Sequence, residues 1–199
     1  MMRIIAGKFK GMTLYAPAGK KTRPLKDMVR ESIFNFLNHS NKILFKLEKS
    51  NVLDLYSGTG SFGLECLSRQ VEEVIFIEKE KRAFEILEKN IEKLKVKNKS
   101  RIFFDDVFNV IEKQDKKPFS LSHYLKFDLI FCDPPFEDTN INRLIKLIIR
   151  KNLLNKNGII IIHRHKKTKD KLSNYFRIID ERLYGISKII FAQVSTLLS

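Results

Sequence analysis

The stretch Val52-Leu53-Asp54-Leu55-Tyr56-Ser57-Gly58-Thr59-Gly60-Ser61-Phe62-Gly63 decides the fold. Its first residues are an apolar strand carrying one carboxylate, Asp54. The glycine-rich turn that follows opens a helix running through Arg69. Gly58 and Gly60 permit positive φ and let backbone amides come close to a ligand. The helix start they create favours an anionic group such as a carboxylate.

Working outward, strands and helices alternate. Residues 74–78 form a second strand, and Phe84, Leu87, Ile91 and Leu94 make one apolar helical stripe. Residues 101–104 and 127–132 read as the third and fourth strands. A helix at about residues 139–151 leads to a fifth strand at 158–163. Residues 176–182 and 188–194 flank Tyr184-Gly185 as a hairpin. Five βα units and a hairpin imply a Rossmann-like α/β fold. Its sheet is mostly parallel with an antiparallel C-terminal strand, and helices cover both faces.

Towards the N-terminus the pattern changes. Residues 3–6 and 13–15 read as short strands around a Gly7–Gly11 turn. A looser stretch with Pro17, Gly19 and Pro24 leads to a helix with Val29, Ile33, Phe34 and Leu37 on one face. Residues 1–45 are therefore an extension, and residues 46–199 the main domain.

The strand ends define a nucleoside site. Glu78 ends the second strand, where a carboxylate can accept both hydroxyls of a ribose. Asp106, or its neighbour Asp105, ends the third and can hold an adenine amine. Tyr56 and Ser57 lead into the glycine turn. By itself Gly58-x-Gly60-x-x-Gly63 with Glu78 also suits a nicotinamide dinucleotide. Two details favour S-adenosylmethionine. Asp54 lies four residues before the first glycine, within reach of a methionine ammonium directly or through water. No second mononucleotide-binding half follows the fourth strand.

Asp133-Pro134-Pro135-Phe136 follows that strand and narrows the chemistry. Proline has no amide proton and holds the preceding residue extended. Asp133 and the Pro134 carbonyl can thus both accept hydrogen bonds from one NH2 group. An exocyclic base amine is a poor nucleophile because its lone pair is delocalised into the ring. Two acceptors orient it and stabilise the charge that develops on attack. Phe136 offers a stacking face for an extruded base.

The chain of 199 residues carries a net charge of +15. Lys, Asn, Ile and Phe are abundant together, a compositional bias that makes the total uninformative. Its distribution says more. Residues 1–30 hold eight basic side chains (Arg3, Lys8, Lys10, Lys20, Lys21, Arg23, Lys26, Arg30) against one acid, Asp27. This is the footprint of a polyanion partner.

These segments together resemble the bacterial 16S ribosomal RNA guanine-N2 methyltransferases, the RsmD family. Arg3-Ile4-Ile5-Ala6-Gly7 with Gly11 and Leu14, Thr22-Arg23-Pro24 and residues 29–35 carry the specific part. Residues 53–60, Gly63-Leu64-Glu65, Ser68-Arg69, Glu78, Asn90, Asp133–Phe136 and Tyr184-Gly185 complete it. Tyr56-Ser57 replaces the commoner Phe-Ala, and Gln70 stands where the family usually has Gly. The resemblance implies a seven-stranded methyltransferase fold and N2 methylation of one guanine in small-subunit rRNA. The substrate is then the 30S subunit or its assembly intermediate. On this reading Asp133, Pro134, Pro135 and Phe136 are catalytic. Asp54, Tyr56, Ser57, Gly58, Gly60, Glu78 and Asp106 bind the cofactor, and Arg3, Lys8, Lys10, Arg23 and Arg30 bind RNA.

Other candidates carry less. His163 and His165 follow the fifth strand and read equally as phosphate contacts or a solvated loop. Cys66 and Cys132 sit in apolar segments and read as core thiols. Arg30 and Glu31 are rivals for a structural pair within their helix. No metal ligand set, signal core or membrane span is evident, so a cytoplasmic enzyme is expected. Two alternatives remain in view. One is an N6-adenine DNA methyltransferase, which normally needs a recognition region this chain lacks. The other is a non-enzymatic RNA-binding protein of the same fold.

Overall fold

The sheet is built by strict alternation of apolar side chains, each strand feeding one core on either face. The computed structural model describes residues 2–17, 27–112, 126–170 and 176–194. In chain order the strands are β1 (Met2–Arg3), β2 (Thr13–Leu14), β3 (Asn51–Leu55), β4 (Glu73–Glu78), β5 (Ser100–Phe104), β6 (Phe127–Cys132), β7 (Leu154–His165), β8 (Phe176–Tyr184) and β9 (Ser187–Val194). The helices are α1 (Asp27–His39), α2 (Ser61–Ser68), α3 (Lys81–Leu94), α4 (Val107–Glu112) and α5 (Ile141–Arg150).

Seven strands form the main sheet in the order β5-β4-β3-β6-β7-β9-β8. The first five are parallel, and β9 runs antiparallel to both neighbours. This is the expected α/β architecture. Val52, Val74, Phe76, Leu129, Phe131, Ile159, Ile161 and Phe191 point to one face and pack against α1, α2 and α3. Leu53, Leu55, Ile75, Ile77, Ile130, Cys132, Ile160 and Ile162 point to the other and pack against α4 and α5. Strand order reverses between β3 and β6, which opens a crevice at the carboxyl ends of the central strands.

The N-terminal extension belongs to the first core. Met2, Ile4, Leu14, Val29, Ile33, Phe34 and Leu37 are buried with the sheet residues. Phe62 joins the two parts, stacked on Phe34 at 5.2 Å and on Phe131 at 3.9 Å between ring centroids. One carboxylate ties the extension down. Glu65, on α2 and fully buried, accepts the Ile5 amide at 2.7 Å and the Ala6 amide at 2.9 Å. It also accepts Arg69 Nε at 2.9 Å and lies 3.9 Å from Arg30 Nε. This explains why β1 ends at Arg3 and not at the expected Ala6. The Ile5 and Ala6 amides leave the ladder for the carboxylate.

Three sequence expectations change. Arg30 does not face RNA: it is fully buried, bonded to the Arg3 and Ser61 carbonyls and to Asp27. Burial lowers its pKa, and Glu65 and Asp27 oppose that shift. An uncompensated guanidinium would not be stable there, so its partners are part of the fold. Helix α4 was not anticipated; Asp106 caps it, accepting the Phe108 amide at 3.0 Å. Strand β7 begins earlier and ends later than expected and includes both His163 and His165. Arg23 lies outside the described residues.

Glu65→Leu removes the shared acceptor and leaves Arg30 as a buried charge with one carboxylate fewer. The expected cost in urea unfolding is about 3–5 kcal/mol, with faster amide exchange at Ile5 and Ala6. At the other end of α2, Gln70 sits at φ 67° in a left-handed helix stop. The Val71 amide donates to Cys66 and the Gln70 amide to Leu67, the pattern glycine normally completes. Gln70→Gly is expected to raise stability by up to about 1 kcal/mol in the same assay, because the left-handed strain outweighs the added chain entropy.

Candidate active site

The crevice is a cleft of about 640 Å³ lined by the turns after β3, β4, β5 and β6, with Pro17 of the extension at its edge. Its size suits a small ligand. The β3 turn supplies Tyr56, Ser57, Gly58, Thr59 and Ser61. Tyr56, Gly58 and Gly60 all have positive φ, at 58°, 55° and 84°. A side chain on Gly58 would meet nothing within 4 Å, so its surroundings are open. At Gly60 the φ of 84° itself favours glycine, and a Cβ would also press on a terminal methyl of Leu87 at 2.4 Å.

Glu78 reaches across from β4. One oxygen accepts the Gly58 amide at 2.7 Å and the other the Glu80 amide at 2.7 Å. Both oxygens keep a second lone pair, so the carboxylate can still receive two hydroxyls. Asp105 lines the cleft next to it. Asp106, the residue first expected there, is occupied with Lys79 at 3.0 Å and with capping α4.

Asp54 stands differently from expectation. It is 1% exposed and lies beneath the turn, accepting the Gly63 amide at 3.0 Å. It thereby satisfies a first-turn amide of α2, whose cap residue Gly60 has no side chain to do so. Burial pushes its carboxyl well up, reinforced by Asp133 and Glu78 and opposed by the Gly63 amide.

On the other side, the turn after β6 is held by two consecutive residues of β7. In the parallel register Cys132 pairs with Ile162, so Asp133 and His163 follow side by side. Asp133 Oδ1 meets His163 Nδ1 at 2.8 Å. Arg164, 2% exposed, donates to the Pro135 carbonyl at 3.2 Å and the Asp138 carbonyl at 2.6 Å, and pairs with Asp170 at 2.8 Å. Phe136 stands edge-on between the rings of His163 and His165, at 5.4 and 5.2 Å. His163 is therefore no solvated loop residue. It and Arg164 are the site residues that sequence reasoning missed. The β7 register, extended one step past Ile162, would have found His163.

Of the basic residues expected at RNA, Lys8 and Lys10 are exposed on the hairpin turn. Arg3 is exposed and 3.5 Å from Asp27. The expected core thiols Cys66 and Cys132 are buried, and burial pushes both up, away from reactivity.

A family model described as conserved hypothetical protein 95 matches residues 2–193, extension and sheet together. The chain belongs to this family. Among curated relatives, a ribosomal RNA small subunit methyltransferase D of Buchnera aphidicola subsp. Baizongia pistaciae is 32% identical over 86% of this chain and 79% of its own. A solved chain from Escherichia coli superposes with a TM-score of 0.80 at 22% identity, covering 98% of each. The fold extends to SMU.776, complexed with SAH, at a TM-score of 0.61 and 17% identity over 84% of this chain and 48% of that one. The resemblance read from the sequence thus holds at the level of family and fold.

Because the folded state favours protonated Asp54, that residue contributes stability below the ordinary carboxylate pKa and loses it as pH rises. Asp54→Asn removes this term. Denaturation of the variant across pH values is expected to show a shallower decline above about pH 4 than the parent.

Proposed function

We propose that this protein transfers a methyl group from S-adenosylmethionine to the exocyclic N2 amine of a guanine in 16S rRNA, within the 30S subunit or its precursor. The observation that carries the reading is the pairing of two subsites in one cleft. Glu78, Asp105, Gly58 and Thr59 would cradle a nucleoside, and Asp133, Pro134, Pro135 and Phe136 line the same cleft. The charge of the lining fits as well. Among the described residues that line it, Glu78, Glu80, Asp105, Asp133 and Glu137 stand against one ammonium, Lys79. Such a cleft suits a cationic sulfonium and ammonium better than the pyrophosphate of a dinucleotide. The named relatives support rRNA as the substrate, and the SAH complex of the same fold supports the cofactor.

Bound S-adenosylmethionine would supply an electrophilic methyl group on sulfur. Glu78 would hold the ribose hydroxyls and Asp105 the adenine amine, with Asp54 keeping the turn in place from below. Asp133 Oδ2 and the Pro134 carbonyl would each accept a hydrogen bond from one amine N–H, aiming the nitrogen lone pair at the methyl. As the N–C bond formed and the sulfur–methyl bond broke to leave a neutral thioether, the Asp133 carboxylate would stabilise the positive charge on nitrogen and could receive the departing proton. Phe136 would stack on the extruded base, and Lys8, Lys10 and Arg3 would contact phosphates. Arg30 takes no part in this contact.

The test uses radiolabelled S-adenosylmethionine and 30S subunits from a strain lacking the methylation. Label is expected in 16S rRNA as N2-methylguanine, with Asp133→Ala lowering kcat by about 10²–10³. Label on DNA adenine and none on 30S subunits would replace the substrate. No binding of S-adenosylmethionine at all would favour a non-enzymatic RNA-binding protein.

A further inference from the structure

The buried imidazole at the end of β7 has no part in the family resemblance, and its placement asks for a reason. Residues 159–162 are four isoleucines, all fully buried. A fifth aliphatic residue would continue the packing. The chain instead has His163, 4% exposed, with Nε2 enclosed and without a hydrogen-bond partner among the described residues. Burying an unpaired ring nitrogen is unfavourable. What the imidazole gains is one hydrogen bond, Nδ1 to Asp133 Oδ1 at 2.8 Å.

We propose that His163 is a positioning residue for Asp133. This rests on the amine-orienting role assigned to Asp133 above. An ionised carboxylate only accepts, so the hydrogen of this bond lies on Nδ1. The bond occupies Oδ1 and fixes the plane of the carboxylate, which leaves Oδ2 for the base amine. The same ring abuts the edge of Phe136 at 5.4 Å. One side chain thus sets the amine acceptor and the stacking face relative to each other. Because Nδ1 already bears its proton, the ring orients the carboxylate and does not take the proton lost by the amine at that atom.

Two measurements test this. Imidazole ¹⁵N–¹H correlation spectra, with His163 assigned through His163→Asn, are expected to show the Nδ1-protonated tautomer in the parent. In Asp133→Ala it should revert to the Nε2-protonated form usual in water. A His163 without a proton on Nδ1 in the parent would overturn the proposal, whatever the activity. In the 30S assay, His163→Leu is expected to lower kcat by about tenfold or more. Its dissociation constant for S-adenosylhomocysteine should stay within about twofold of the parent, which also reports correct folding. His163→Asn places an N–H close to the Nδ1 position and should recover most of kcat, whereas His163→Gln places it further out and should not. Full kcat in His163→Leu, or equal activity of the Asn and Gln variants, would refute the positioning role. A parent protein that leaves 30S subunits unlabelled would remove the proposed function instead, and the tautomer would still decide the pairing.

Discussion

Everything at the site depends on the reversal of strand order between β3 and β6. Parallel pairing sets Leu55 beside Cys132 and Cys132 beside Ile162. β3 and β6 therefore leave the sheet at adjacent positions, with Tyr56 and Asp133 as their next residues and His163, still within β7, beside Asp133. A slip of one residue in either pairing would turn the cleft-facing side chains to the opposite face. The alternating isoleucines and phenylalanines of the two cores oppose any slip. Packing far from the cleft thus fixes the geometry of the polar residues within it.

Buried ionisable side chains serve the same end, Arg30 among them, each time by holding backbone. Glu65 gathers two amides of the extension, Asp54 caps α2 beneath the glycine turn, and Arg164 holds two carbonyls of the loop after β6. Each occupies a spot where the chain leaves regular structure and its polar groups lack ladder partners. Asn90 completes the set. Fully buried on α3, it accepts the Tyr15 amide and donates to the Tyr15 and Thr59 carbonyls. Through it the glycine turn and the extension are held by one side chain, which brings Pro17 to the edge of the cleft. The extension is therefore a wall of the site as well as a basic surface.

The sequence disclosed what depends on periodicity and local turn chemistry. Strand alternation, the stripe of α3 and the turns at Gly58–Gly60 and Asp133–Phe136 are all short-range signals, and the elements lie where they indicate. What it concealed depends on partners distant in the chain. Arg30 reads as one more cation in a basic stretch until Glu65, 35 residues later, is folded against it. Asp54 reads as a ligand group because its real partner, the Gly63 amide, is backbone and leaves no mark in the sequence. Helix α4 is a six-residue segment too short for a periodic pattern, betrayed only by the Asp106 cap. His163 reads equally as a phosphate contact or a solvated residue because an Arg/Lys-rich stretch follows it, and its partner Asp133 lies 30 residues earlier.

The division of charge over the molecule argues that cleft and surface serve different partners. Net positive charge is carried by exposed lysines and arginines, Lys8 and Lys10 of the hairpin turn among them, while carboxylates line the crevice. A polyanion drawn to the surface is repelled from the cleft as a whole, so only an uncharged portion of it enters readily. In the proposed reaction an extruded base would be such a portion, with its phosphates outside against the basic residues. The same acidic lining attracts a cationic cofactor and disfavours the backbone of the nucleic acid that approaches it. On the proposed function, the described lining would favour a base presented alone before any hydrogen bond to that base is made.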